Sequence, residues 1–173
     1  MKTFILALLC LLLGALPVAA EESLRGMVRH VSDGDTLLLV ARGSGRQTVR
    51  LYGIDAPETG RRGQPGQPYG TVAKRVLMYK LLGKTVTVEV KDRDQYGRVV
   101  GVVRHNGRDI NAEMVSEGLA WAYRRYLSGP YASEYSALEE QARRRRLGLW
   151  RKPNPQPPWE FRNHAEPRDK RRR

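Results

Sequence analysis

Cysteine is almost absent from this 173-residue chain: the single one, Cys10, falls inside the apolar N-terminal run "FILALLCLLLGAL". It lacks the small preceding residue that lipoprotein processing needs. A chain without that run has no thiol, which excludes disulfides and thiolate metal sites. Histidine is scarce too: His30, His105 and His164 are scattered without ligand-like spacing, which argues against zinc. Any metal here is bound through oxygen and is a hard cation such as calcium or magnesium. Acidic residues number 18 against 31 Lys and Arg, a formal net charge of +13. So positive a field favours a polyanionic partner, nucleic acid first, with anionic lipid or cell-wall polymer as other polyanions of the same sign.

Long apolar runs are confined to the first twenty residues. Lys2, the stretch 4–16 and Val18-Ala19-Ala20 form the charged, apolar and small-residue parts of a secretory signal, too short for a comfortable membrane span. The expectation is a signal peptide over 1–20 cut after Ala20, and a secreted or periplasmic protein without a stable membrane anchor. Residues 21–150 then form one domain with a sizeable core. From 151 to 173, "RKPNPQPPWEFRNHAEPRDKRRR" is so rich in proline and charge that a basic tail without ordered structure is expected.

Within the domain, strand-like runs come first. "LRGMVRHV" and "DTLLLVA" flank the turn "SDGD", and "RQTVRLYGI" follows "RGSG". "TGRRGQPGQPYG" has no apolar period and reads as an exposed loop. A helix is predicted over 71–82, with Ala73, Val76, Leu77 and Leu81 on one face and Gly83 to stop it. "KTVTVEVK" alternates again, and Asn106-Gly107 turns "GRVVGVVR" back on itself. Asn111 reads as the cap of a second helix, with Ile110 and Val115 as its staple. A third helix, from about Ser133 to Gly148, points Tyr135, Leu138 and Ala142 inward. Trp121 and Trp150 are expected core anchors. The order β-β-β-α-β-β-α-α describes an α+β, mainly β domain: a small closed barrel of five strands with three helices packed on it.

Acids and arginines concentrate at three predicted strand ends: Asp33 and Asp35 in "SDGDT"; Arg50, Asp55 and Glu58 in "VRLYGIDAPET"; Asp94, Tyr96 and Arg98 in "DRDQYGR". Each alone serves as an ordinary turn or strand exit. Together they crowd like charges at one barrel end, which calls for a neutralising cation. Asp35 and Asp55 supply hard oxygens, and the backbone carbonyl of Ala56 with waters can complete a shell. Glu58, on the stiff backbone after Pro57, is placed to activate a water beside that ion. Arg50 and Arg98 offer bidentate partners to a phosphate whose charge grows in the transition state. Arg50 and Asp55 have opposite strand parity, so a bend, for which Gly53 is available, must bring them together.

These motifs, followed by "GLAWAY" and "RRRRLGLW", resemble the thermonuclease (staphylococcal nuclease-like) family across roughly residues 25–150. The resemblance implies an OB-type five-stranded barrel with helices. It implies hydrolysis of DNA and RNA phosphodiesters dependent on one calcium ion, with 3′-phosphate ends; magnesium and manganese remain open. By the same resemblance Asp35 and Asp55 are calcium ligands, Ala56 gives its carbonyl, and Asp33 lies close to the metal. Glu58 is the general base, Arg50 and Arg98 bind phosphate, and Tyr96 and Tyr123 lie near the nucleotide. Gln95 stands where the family pattern has a basic residue, and the "GRRGQPGQPYG" loop differs. A monomer is expected.

Two other functions compete. A non-catalytic OB-type module that only holds single strands needs cations and aromatics but has no use for Asp35, Asp55 and Glu58. Glycoside hydrolysis could use paired carboxylates, yet two arginines and a cationic surface fit a phosphate better than a neutral sugar.

Overall fold

The computed structural model describes residues 22–60 and 63–165. The expected signal peptide, Cys10, Arg61, Arg62 and the basic end 166–173 lie outside the described residues. None of the described helices is long and apolar enough to cross a membrane.

Five strands carry the barrel: β1 (Ser23–Val31), β2 (Thr36–Ala41), β3 (Gly45–Leu51), β5 (Thr85–Arg93) and β6 (Val99–His105). Alternation of exposed and buried residues explains why they form. In β1, Leu24 and Val28 point inward between exposed neighbours, and the alternation slips where the register with β2 shifts, between Val28 and His30. The antiparallel order β3-β2-β1-β5-β6 closes on itself through a parallel pairing of β3 with β6, in which Val49 meets Val99 and Leu51 meets Gly101. Closure leaves no long unpaired edge among these five strands. The interior holds Val28, Leu37, Leu39, Val49, Leu51, Val88, Val99 and Val103, all at most 1% exposed. This is the five-stranded barrel expected from the sequence.

Three short strands were not foreseen. β4 (Ile54–Asp55) pairs with β8 (Trp121–Ala122), and β7 (Arg108–Asp109) extends the sheet beyond β6 through the Asn106-Gly107 turn. Both turn residues have φ near +52° and +78°, as a two-residue hairpin of this twist demands.

Helix α1 (Gly70–Leu81) covers one barrel end with Ala73, Leu77 and Leu81. Helix α2 (Ile110–Ser116) buries Ile110, Met114 and Val115. Its cap is Asp109, whose side chain accepts from the Ala112 N–H at 2.9 Å, and not Asn111 as the sequence predicts. Asn111 has a larger task. Fully buried, it accepts from the Val103 N–H and donates to the Tyr52 and Gly101 carbonyls, tying helix, β6 and the β3 exit together.

Helix α3 spans Gly129–Arg144, starting earlier than Ser133 because Pro130 occupies its first turn. Tyr135 and Ala142 face inward as expected. Trp121 and Trp150 anchor a second small core with Ala142 and Leu149.

The C-terminal expectation needs correction. Residues 158–165 form a helix, α4 (Pro158–Ala165), so the proline-rich segment is not without structure there. Proline density resists a regular hydrogen-bonded chain, yet one proline at a first helical position presets the required φ. The Glu160 and Phe161 N–H groups then bond to the Pro157 carbonyl. Trp159 supplies the burial, packing edge-on against Trp121 with ring centroids 5.5 Å apart.

Candidate active site

The turn between β1 and β2 delivers Asp35. Gly34 allows its tight approach, since a Cβ there would sit 2.6 Å from the Ala56 side chain and 2.7 Å from that of Ala73. Arg50 is the penultimate residue of β3, and Asp55 ends β4 after a turn at Tyr52-Gly53. Gly53 has φ near +71°, and a side chain there would collide with Leu127. That turn overcomes the parity problem: Arg50 and Asp55 meet, Nη2 to Oδ1, at 2.8 Å.

The same guanidinium reaches Asp35 with Nη1 at 2.7 Å. Asp35 and Asp55, both buried, therefore converge on one planar cation. Asp35 also accepts from the Thr36 hydroxyl and the Ala56 N–H. Burial alone would weaken the charge on Arg50. The adjacent Asp35 and Asp55 outweigh it and hold the guanidinium above its ordinary range. Asp33, which accepts from the Asp35 N–H, is pushed up to about 7 by burial and then by the charge of Asp35. Burial likewise raises Asp55, against the pull of Arg162 and Arg50.

Glu58 follows Pro57 and is fixed through its backbone. Its N–H donates to the side-chain oxygen of Gln67 at 3.0 Å, and its carbonyl accepts from the Gln67 N–H at 2.9 Å. Gln67 is itself buried, inside a loop the sequence reads as exposed. The physical reason is this double bond to Glu58: the loop folds back on the site instead of extending into water.

A second cation enters from α4. Arg162 donates Nη1 to Glu58 at 2.7 Å, and Nη2 and Nη1 to the two oxygens of Asp55 at 2.9 and 3.2 Å. The sequence reasoning missed Gln67, Trp159 and Arg162. Trp159 carried a signal, since a tryptophan in a polar, proline-rich stretch has little reason to stay in water.

Arg98 and Tyr96 form a separate pair. Arg98 donates from Nε to Asp94 at 2.7 Å, and its guanidinium lies 5.5 Å from the Tyr96 ring centre. Among the described residues, no hydrogen bond or ion pair joins Arg98 to Asp35, Asp55 or Glu58. Strand register nevertheless puts it nearby in the chain: Arg50 pairs with Val100 across the β3–β6 ladder, and Arg98 immediately precedes β6, two residues before Val100.

Tyr123 sits beside Asp55. Burial and then the Asp55 charge raise its pKa. One face of its ring stacks on Trp159, with centroids 5.0 Å apart and planes 2° from parallel. That face is covered in this arrangement.

No group of three or more His, Cys, Asp or Glu stands ready to hold a metal among the described residues. The donor set still fits a hard cation. Two buried carboxylates share a site whose positive charge comes from side chains, and Asp55 Oδ2 has Arg162, from a separate segment, as its hydrogen-bond donor among the described residues. Were Arg162 to withdraw, a buried anionic oxygen would stand without a partner, the situation a divalent cation corrects.

Residues 48–152 match the family described as staphylococcal nuclease homologue. Micrococcal nuclease of Shigella flexneri is 41% identical over 160 residues, 86% of this chain and 86% of the relative. Protein ParB of Escherichia coli is 39% identical over 173 residues, 94% of this chain and 91% of its own. An uncharacterized endonuclease of Haemophilus influenzae is 34% identical over 165 residues, 95% of this chain and 88% of the relative. A closed five-stranded barrel, acids gathered where β1, β3 and β4 end, and matches spanning nearly the whole chain agree: this protein belongs to the staphylococcal nuclease family.

Proposed function

We propose that this protein is a nuclease that hydrolyses phosphodiester bonds in DNA and RNA and leaves 3′-phosphate ends. The observation that carries the proposal is the convergence of Asp35 and Asp55 on one guanidinium, with Glu58 held alongside by Gln67. A module that merely holds single strands has no use for buried acids in that arrangement.

In this proposal Asp35, Asp55 and the Ala56 carbonyl hold one divalent cation, calcium by family resemblance, with Asp33 outside them. When bound, such an ion supplies Lewis-acid charge to the phosphate. The chain's own residues do the rest. Glu58 takes a proton from the attacking water, and its carboxylate is aimed by a backbone fixed at both N–H and carbonyl. Arg50 turns from Asp35 and Asp55 toward the phosphate oxygens, and its planar fork matches two of them. Arg98, just before the start of β6, supplies the second phosphate-binding guanidinium by family resemblance. Tyr96, three-quarters exposed beside Arg98, contacts the nucleotide, and so does Tyr123. The leader at 1–20 supports export to the periplasm or medium, and the protein acts as a monomer without a membrane anchor.

The test is digestion of matched single- and double-stranded DNA and RNA with calcium, magnesium, manganese or a chelator, with product ends identified. Cleavage that stops with chelator and yields 3′-phosphate ends is expected. Products carrying 5′-phosphate, or full activity in chelator, overturn the proposal.

A further inference from the structure

A pocket of about 600 Å³ opens between α4 and the segment Trp121–Arg125. Its volume falls within the range of small-ligand sites. Tyr123, Arg124, Arg125, Trp159, Arg162 and Asn163 line it. Glu139, the one acid among the described lining residues, is fully engaged: buried, it accepts from the Ala122 N–H at 2.8 Å and from Arg143 Nε at 2.8 Å. Arg124 and Arg125 are exposed, and neither guanidinium has an ion-pair partner among the described residues. The pocket is therefore aromatic on one wall and cationic on another. Its inner end is Arg162, which touches Asp55 and Glu58 directly. What enters here lies next to the reacting centre.

An aromatic wall and free arginines are the two features that hold a base and its phosphate. We propose that α4 completes a nucleotide subsite: the pocket takes one nucleotide of single-stranded nucleic acid adjoining the scissile phosphate, its base against Trp159 and its phosphate on Arg124 and Arg125. A paired base is already stacked and bonded within a duplex, so a single strand is the form that fits. The subsite shares only Tyr123 with the residues that the sequence singles out for substrate. The inference rests on the nuclease reading and deepens it, assigning to the C-terminal segment a share of substrate selection.

The test compares the wild-type chain with Trp159→Ala and with the double variant Arg124→Ala/Arg125→Ala, all full length. Substrates are a 12-nucleotide single-stranded DNA and bis(p-nitrophenyl) phosphate, a diester with no flanking nucleotide. Expected is a fall of about tenfold in the ratio of kcat/KM for the strand to that for the small diester, carried by KM. Equilibrium binding of the fluorescently labelled strand in chelator should weaken by a similar factor. Trp159 also packs on Trp121, so the double variant, confined to exposed side chains, decides the matter if Trp159→Ala does not fold. An unchanged ratio and unchanged binding overturn the inference. So does faster cleavage by Trp159→Ala, which would make α4 a cover over the site. If the wild-type chain cuts neither substrate, the nuclease reading falls, while strand binding still decides the pocket.

Discussion

Arg50→Met tests whether the Arg50 guanidinium is the counter-ion that Asp35 and Asp55 share. The side chain is 19% exposed, and its two donors reach carboxylates that are 5% and 0% exposed, at 2.7 and 2.8 Å. Removing one partner of a buried ion pair costs about 3–5 kcal/mol, because the remaining charge is left without compensation. Here the cost should sit at the lower end. Asp35 keeps the Thr36 hydroxyl and the Ala56 N–H, and Asp55 keeps Arg162. About 3 kcal/mol is a large share of a typical stability of about 5–15 kcal/mol. In urea at pH 7 with chelator, it appears as a midpoint lowered by about 1–2 M.

A second arm of the same assay probes the acids themselves. A ligand present at 100 times its dissociation constant adds about 2.7 kcal/mol to stability. Calcium should stabilise Arg50→Met more than the wild type, since in the variant Arg50 no longer competes for Asp35 and Asp55 and only Arg162, on Asp55, still does. Placing Asp35→Asn and Asp55→Asn in the Arg50→Met background should recover much of the loss and abolish the response to the ion. A loss below about 1 kcal/mol for Arg50→Met, or equal calcium gains in the two proteins, would refute the shared counter-ion.

Glu58→Gln should leave stability within about 1 kcal/mol and strand binding intact while slowing cleavage by about 10²–10⁴-fold, the usual contribution of a positioned general base; undiminished cleavage removes Glu58 from the chemistry. Asn111→Ala should cost about 3 kcal/mol in thermal or urea unfolding, since it orphans the Val103 N–H and the Tyr52 carbonyl in the core, while the Gly101 carbonyl keeps the Tyr52 N–H; a loss under 1 kcal/mol contradicts the bracing role. An acid limb of stability is expected from Glu89 and Glu113. Burial alone would raise both, but Arg104 and Tyr131 hold Glu89, and Arg108 and Lys80 hold Glu113, below the ordinary carboxylate range. Depressed carboxylates contribute stability above their unfolded pKa, near 4.3, and lose it as pH falls through the folded value. Urea midpoints should therefore drop as pH falls below about 4.3, and less so in Glu89→Gln/Glu113→Gln; an equal drop in both proteins defeats the assignment.

Much of the barrel was legible because its cause is local. Alternation in "LRGMVRHV" and "DTLLLVA" states which side chains face inward, and Asn106-Gly107 states where β6 turns. The acids of the site were legible for a related reason: Asp35, Asp55 and Glu58 stand at strand ends where a turn residue without charge would serve as well. Helix caps were less so. Asp109 and Asn111 are both good capping residues two positions apart, and what separates them is tertiary. The buried Tyr52 carbonyl needs a donor and the buried Val103 N–H an acceptor, and the amide of Asn111 can serve both at once.

The misreading of the C-terminal segment has the same root on a larger scale. A sequence pattern specifies the face a residue presents, but not the partner it meets. Arg162 lies 107 positions from Asp55, and Gln67 lies 89 positions from the Gln156 carbonyl to which it donates. Taken alone, 151–165 cannot bury enough apolar surface to offset the entropy of ordering. Two conditions reverse that balance, and both are supplied by the barrel. Trp121 and Tyr123 present rings on which Trp159 can pack, and Asp55 with Glu58 presents two acids that would otherwise repel each other beside Arg162. Residues 158–165 are therefore ordered by the charge imbalance of the site, so the surplus of acid that marks the chemistry in the sequence is also what brings α4 to it.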